Sequence, residues 1–179
     1  MRALVVYESM FGNTQTIAEA IADGVGTYCM VETVEVGNAP GTMGTNVDLL
    51  IAGGPTHQFG MSRASSRSDA AKRADQALVS RGIGIREWLD GLNRTVPVMA
   101  AAFDTRMSEP RWLRLVGSAA GKIERRLKKL GFTIALPSEH FHVTGMQGPL
   151  LDGEIRRARE WGQQVAMAAT SAEEIRQVA

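Results

Sequence analysis

The feature that most constrains this chain is a change of hydrophobic period within its first 26 residues. Leu4-Val5-Val6-Tyr7 is a continuous apolar run rich in β-branched side chains, the pattern of a strand buried on both faces. After Glu8-Ser9-Met10-Phe11-Gly12-Asn13 the period switches. Ile17, Ala18, Ile21, Ala22 and Val25 then fall on one helical stripe, with Glu19 and Asp23 outside it. Gly24 and Gly26 punctuate the end of that stripe. A strand, a glycine-containing loop and a helix in this order are the unit from which parallel sheets are built.

The alternation recurs along the chain. Met30 to Val36 reads as an edge strand, and Gly37 to Asn46 as mostly loop where a second crossover helix would stand. Val47 to Ala52, Thr95 to Phe103 and Phe132 to Leu136 are three further strands. Helices are predicted over about Ser62 to Arg81, around Glu87 to Leu92, over Gly117 to Leu130, and from Leu151 to Ala169. Ser118 is the expected N-cap of the third of these and Gly131 its stop. The last helix should bury Leu151, Ile155, Ala158, Trp161 or Gly162, and Val165. Five strands separated by helices predict a doubly wound α/β sheet, with strand orders 2-1-3-4-5 and 3-2-1-4-5 both open. In either order a ligand belongs beyond the strand C-termini, where Ser9 to Thr14, Pro55 to Gly60 and Asp104 to Met107 lie.

Composition narrows the function. The chain of 179 residues is of ordinary size for one domain, expected here to span residues 1–179. Twenty basic and 19 acidic side chains leave a formal charge of +1, far from the basic balance of a nucleic-acid binder. Residues 1–90 hold seven basic and ten acidic side chains, so the positive excess lies in the second half. The one cysteine, Cys29, reads as a small buried hydrophobe, with a surface thiol as the alternative. His57, His140 and His142 lack metal-ligand spacing, so no metal is expected. No apolar run reaches the length of a membrane span, the N-terminal run is too short for a signal peptide, and a cytoplasmic protein is expected.

The first loop carries chemistry of its own. A loop feeding directly into a helix presents unpaired N–H groups and the positive end of the helix dipole, which together cradle an anion. Gly12 permits an unusual backbone turn there, and Ser9, Asn13 and Thr14 add side-chain donors. The absence of Gly-x-x-x-x-Gly-Lys and of the three-glycine dinucleotide pattern makes a phosphomonoester the better-suited anion. The alternative is that Ser9 or Asn13 only caps the helix while Gly12 completes a turn.

Ser9-Met10-Phe11-Gly12-Asn13-Thr14 after its strand resembles the phosphate loop of the flavodoxin family. Gly54-Pro55-Thr56-His57-Gln58-Phe59-Gly60 and Phe103-Asp104-Thr105-Arg106 resemble the two loops that flank the flavin in that family. Gly148 to Glu154, followed by Ala158-Arg159-Glu160-Trp161-Gly162, is similar to the approach and start of its last helix. The resemblance spans nearly the whole chain. It implies a three-layer flavodoxin-like fold of order 2-1-3-4-5 binding FMN non-covalently. The phosphate would fall to Ser9, Met10, Phe11, Gly12, Asn13 and Thr14. Pro55, Thr56, His57, Gln58, Phe59 and Gly60 would form one wall of the ring site, and Phe103, Asp104 and Thr105 the other. Phe59 and Phe103 are the candidates for apolar contact with the ring, His57 for a hydrogen bond in the loop or to the ring, and Asp104 for a turn or ribityl acceptor.

Three departures from the family pattern stand out, the first being the thin crossover over Gly37 to Asn46. Phe11 replaces a small hydroxyl residue, and the charge is near neutral where soluble flavodoxins are typically strongly acidic. The resemblance implies electron transfer between partner proteins, here with an acidic surface on the partner. A reductase of quinones or other small acceptors using NAD(P)H, and a flavin-free interaction module, are the alternatives. No catalytic residue is expected, because Ser9, His57 and Asp104 do not form a hydrolytic triad by spacing.

Overall fold

β1 (Arg2–Tyr7) is an interior strand of the sheet, every residue after Arg2 being buried, as a strand covered on both faces requires. The computed structural model describes residues 1–73, 77–108 and 117–178. From β1 the chain runs through α1 (Asn13–Val25) to β2 (Met30–Glu35), a half-exposed edge strand parallel to β1. A single 3-10 turn (Val36–Asn38) and the two-residue β3 (Thr42–Met43) take the place of a second crossover helix. β4 (Leu49–Pro55) then pairs with the opposite side of β1. α2 (Ala64–Arg73), α3 (Ile85–Gly91) and the short β5 (Asn93–Arg94), which pairs with β3, lead to β6 (Met99–Met107). α4 (Ala119–Lys129), β7 (Thr133–Ile134), β8 (Glu139–Val143) and α5 (Glu154–Val178) complete the chain.

The main sheet is parallel throughout, in the order β2-β1-β4-β6-β7, with β8 also on β6. With β7 and β8 taken as two halves of one outer strand, this is a five-stranded sheet of order 2-1-3-4-5, and the order 3-2-1-4-5 is excluded. The chain reverses direction across the sheet between β1 and β4, so their C-terminal ends open the crevice in which doubly wound folds bind ligands.

Two apolar layers sandwich the sheet. α1 and α5 bury Ile17, Ile21, Trp161 and Val165 against Val5, Ile51 and Phe103 on one face. α3 and α4 bury Ile85, Leu89, Ile123 and Leu127 against Leu4, Val6 and Leu50 on the other. α1 and α5 approach closely enough that a Cβ on Gly162 would press on the backbone of Ile21, and one on Gly24 on that of Arg159. Among the described residues no helix is long and apolar enough to cross a membrane.

Several elements differ from the sequence expectation, each for a physical reason. The outer strand expected over Phe132 to Leu136 is only Thr133–Ile134. Pro137, which has no N–H to pair, precedes a second piece at Glu139–Val143. That second piece alternates half-buried Glu139, His140 and His142 with buried Phe141 and Val143, so no apolar run announces it. β6 runs on to Met107, which places Phe103, Asp104 and Thr105 inside a strand rather than in a loop. α2 spans Ala64–Arg73, not Ser62 to Arg81, and residues 74–76 of the expected helix lie outside the described residues. In α5 Ile155 is exposed, and the buried stripe runs through Glu154, Ala158, Trp161, Val165 and Ala169 instead. Ser118 caps α4 as expected, its hydroxyl accepting the Gly121 N–H at 3.0 Å, and Gly131 ends that segment with φ +84°.

Candidate functional site

At the C-terminal ends of β1, β4 and β6 lies a cavity of about 420 Å³. The loop from β1 to α1 forms its first side. Gly12 stands at the N-cap of α1 with φ +89°, a conformation that favours glycine, and a Cβ there would meet only open space. Ser9 is fully buried, and its Oγ accepts N–H groups from Gly12 at 3.1 Å and Gln15 at 3.3 Å. This is the capping role weighed above, and it still leaves the hydroxyl proton to donate. The N–H groups of Phe11, Asn13 and Thr14 meet no acceptor among the described residues, so the donors of the helix start are unspent. Segment 79–80 fastens the loop from behind. Val79 and Ser80 donate N–H groups to the carbonyls of Met10 and Ser9, and Ser80 Oγ accepts the Ser9 N–H.

The second side is a tight turn. His57 and Gly60 exchange N–H···O bonds of 2.8 and 3.0 Å, which forces Gln58 to φ 45° and Phe59 to φ 65°. Two consecutive left-handed residues define a type I′ turn, usually built with Asn and Gly, so the strain is stored beside the cavity. The turn presents Phe59 at the cavity with 43% of its surface exposed. His57 lines the same side, and burial, reinforced by the positive charge of Arg67, holds its imidazole below its ordinary value. Pro55, Thr56 and Gln58 complete this wall, while Gly60 closes the turn without lining the cavity.

The third side differs from the expectation. Phe103 is completely buried, packed edge-on against Phe141 at 6.3 Å and Trp161 at 6.5 Å, and belongs to the core under α1 and α5. The alternation of strand β6 sends it away from the cavity, so Phe59 is left as the aromatic wall from that pair. Asp104 is also fully buried and serves as a junction. Its Oδ2 accepts from Thr56 Oγ1 at 2.9 Å and the Ala120 N–H at 2.8 Å, and its Oδ1 lies 2.9 Å from His140 Nδ1. It pins the start of α4, the His57 turn and β8 to one another rather than lining the cavity. Thr105 does line it, its Oγ1 paired with Thr14 Oγ1 at 2.7 Å.

Sequence reasoning missed part of the lining. Arg106 and Met107 line the cavity within the Asp104 to Met107 stretch expected at the ligand end, although neither was assigned to the ring site, and Val143 was hidden by the unrecognised β8. Gly145 to Gln147 reach the cavity from the far end of the chain, where Gln147 O accepts the Asn13 side-chain amide at 2.9 Å. Ser66, Asp69 and Ala70 of α2 close it from the opposite side. A helix N-terminus with unspent donors, hydroxyls beside it and a half-exposed aromatic at the other end suit a flat ring carrying an anionic tail. Ser9 Oγ and Asp104 are already committed to the contacts above, and among the described residues no nucleophile–base pair converges on the cavity.

No curated protein sequence matches the chain. Solved structures do. A flavodoxin from the domain Archaea superposes with a TM-score of 0.62 at 16% identity, covering 95% of this chain and 99% of that one. The Flv1 flavodiiron core from Synechocystis sp. PCC6803 gives 0.61 at 19% identity, over 96% of this chain and 36% of that one. A flavodoxin, WrbA-like protein from Agrobacterium tumefaciens gives 0.56 at 18% identity, over 95% and 98%. These likenesses establish the fold. The flavodoxin family model matches residues 5–161, and with the sheet order and the loop after β1 described above, the chain belongs to the flavodoxin family.

Proposed function

We propose that the cavity binds FMN and that the protein is a redox carrier passing electrons between partner proteins. One observation carries the reading: unspent N–H groups of the α1 start and the aromatic of a strained turn face a single cavity. Phe11, Asn13 and Thr14 would hold the phosphate through their N–H groups, with Ser9 and Thr14 hydroxyls beside it. Phe59 and His57 would flank the ring on one side and Thr105 with Met107 on the other. When bound, the flavin supplies the one- and two-electron chemistry. The chain's own residues bind, orient and exclude water. The Asp104 junction keeps the turn that carries Phe59 in register with the β6 end, because Thr56 is tied to both Asp104 and the Thr105 carbonyl. Lys122, on the basic face of α4, lies against Gly60 beside the turn, which supports a partner that docks through acidic residues. The same reading takes residues 1–179 as one domain working in the cytoplasm.

The phosphate loop gives the direct test. Thr14→Ala combined with Gly12→Ala should weaken FMN affinity by about tenfold or more, while riboflavin, which lacks the phosphate, binds nearly as before. Calorimetric or fluorescence titration reads this, with far-UV circular dichroism as the control for folding. Equal losses for both ligands would refute the loop's role. A purified protein that neither carries nor takes up FMN would refute the site altogether.

A second reading has its own support. α2 extends the lining past the three loops, so the wall that would govern access of a small acceptor to a bound ring belongs to this cavity. Steady-state oxidation of NAD(P)H with a panel of quinones separates this reductase from the carrier, which should show no such turnover.

A further inference from the structure

α2 contributes Ser66, Asp69 and Ala70 to the cavity wall, yet no apolar stripe holds it there. Its sequence ASSRSDAAKR contains alanine as its one apolar residue type, and no residue from Ala64 to Lys72 is buried. A helix of this length is marginal in water without an apolar face to pack. α2 instead sends one arginine inward. The Arg67 side chain is 12% exposed, and its guanidinium meets the Glu87 carboxylate as a fork, Nη1 to Oε2 at 3.1 Å and Nη2 to Oε1 at 3.2 Å. Nη1 also donates to Ser62 Oγ at 2.9 Å. Glu87 is itself held by the Gly84 N–H at 3.0 Å, at the start of α3. Arg86 donates to the carbonyls of Met61 and Ser62, which ties the approach to α2 onto the same helix.

The site is built around this arginine. Gly84 has no side chain where a Cβ would run into the Arg67 guanidinium and would stand only 2.8 Å from both Glu8 Oε2 and Ser62 Oγ. A bidentate guanidinium–carboxylate pair fixes direction as well as distance, which a lysine ammonium does not.

We propose that Arg67 is a positioning and specificity-determining residue: through Glu87 and Ser62 it holds α2 across the cavity and shields a bound ring from small solutes on that side. The shielding rests on the flavin reading of the cavity; the anchoring of α2 does not. With Arg67 gone, the anchor left to α2 among the described residues is the Arg86 tie to its approach. That is too little to offset the entropy of ordering the helix, and the wall opens locally. Access of small acceptors to the ring, and hence the choice between carrier and reductase chemistry, is then set at Arg67.

Two measurements on the full chain separate the two parts. Hydrogen exchange followed by mass spectrometry needs no ligand. In Arg67→Ala the amides of residues 64–72 should exchange about tenfold faster or more, with the sheet unchanged. Gly84→Ala should act in the same direction, because it crowds the guanidinium without removing its charge. The second measurement uses protein loaded with FMN and acrylamide, a neutral quencher of flavin fluorescence. The quenching constant should rise about threefold or more in Arg67→Ala, with Arg67→Lys intermediate. Unchanged exchange over α2 in Arg67→Ala overturns the anchoring. FMN uptake with unchanged quenching overturns the shielding alone. A chain that takes up no FMN overturns the flavin reading and the shielding with it, and leaves the exchange result to decide the anchor. Should Arg67→Ala fail to fold, Arg67→Lys and Gly84→Ala carry the same comparison.

Discussion

Glu8, at the start of the β1–α1 loop, is fully buried between the end of β1 and the start of α3. Its Oε2 accepts the Ile85 N–H at 2.8 Å, while Oε1 is buried and meets no partner among the described residues. Burial pushes this carboxyl above its ordinary value of 4.5. Hydrogen bonds from Ser62 and Ile85 and the charge of Arg67 pull it back, and Glu87 pushes it up again. A raised carboxyl binds its proton more tightly in the folded chain than in the unfolded one. Its contribution to stability is therefore complete below pH 4.5 and is lost as the pH rises through the folded value. Glu8→Gln keeps an acceptor for Ile85 and removes the titration. The stability of the variant relative to the natural chain, from urea midpoints, should therefore grow as the pH rises above 4.5. A difference that stays flat from pH 4 to 8 would show that Glu8 is solvated after all. The same residue scale shows what a sequence can and cannot convey. Ser9, Asn13 and Thr14 stand out because their spacing before a helical stripe has a local meaning. Glu8 and Arg67 acquire their roles from partners 77 and 20 residues away, and nothing in the local pattern marks them. Asp104 stands out at its strand end but takes its junction role from His140, 36 residues on.

Among elements, legibility follows burial on two faces. β1, β4 and most of β6 are continuous apolar runs because both faces are covered, so their positions could be read directly. β8 could not, since an outer strand with half-buried polar residues carries no such run. Missing it also hid the lining at Val143 and the partner that holds Asp104. The end of β6 was misjudged for a related reason. Asp104, Thr105 and Arg106 are polar yet buried, with the junction satisfying Asp104 and the Thr14 hydroxyl pairing with Thr105 inside the strand. The contact of α1 with α5 is a third such case. Gly24 and Gly162 weaken their helices by propensity, but they let two backbones meet, and a methyl group on either would collide with main chain that cannot give way. Gly162→Ala should therefore destabilise the chain by about 3 kcal/mol, although alanine is the better helix former. Urea unfolding monitored by circular dichroism reads this. A neutral or stabilising result would mean that α1 and α5 sit farther apart than the fold places them.

For the whole molecule, the cavity draws, besides α2 and Gly117, on four stretches that the fold alone brings together: the β1–α1 loop, the turn after β4, the end of β6 and the segment from Val143 to Gln147. No one of them is a site by itself. A ligand that engages all four binds only the folded chain, so its binding free energy appears as global stability. At a free concentration 100 times its dissociation constant, such a ligand stabilises by about 2.7 kcal/mol. In a chain of this size each kcal/mol moves Tm by about 2–4 °C, which gives a rise of roughly 5–11 °C. The proposed division of labour makes the rise depend on the phosphate. At equal concentrations FMN should raise Tm well above riboflavin, and the Thr14→Ala, Gly12→Ala chain should lose that difference while keeping the smaller effect of riboflavin. The strained turn at Gln58 and Phe59 adds a second signature. If its backbone is stabilised by a ring against Phe59, Phe59→Ala should reduce the rise produced by both ligands, because the ring is common to them. Calorimetry of the two variants with each ligand therefore distinguishes the two ends of the cavity. A phosphate-loop variant that lowers the riboflavin response as much as the FMN response would place the ligand some other way round.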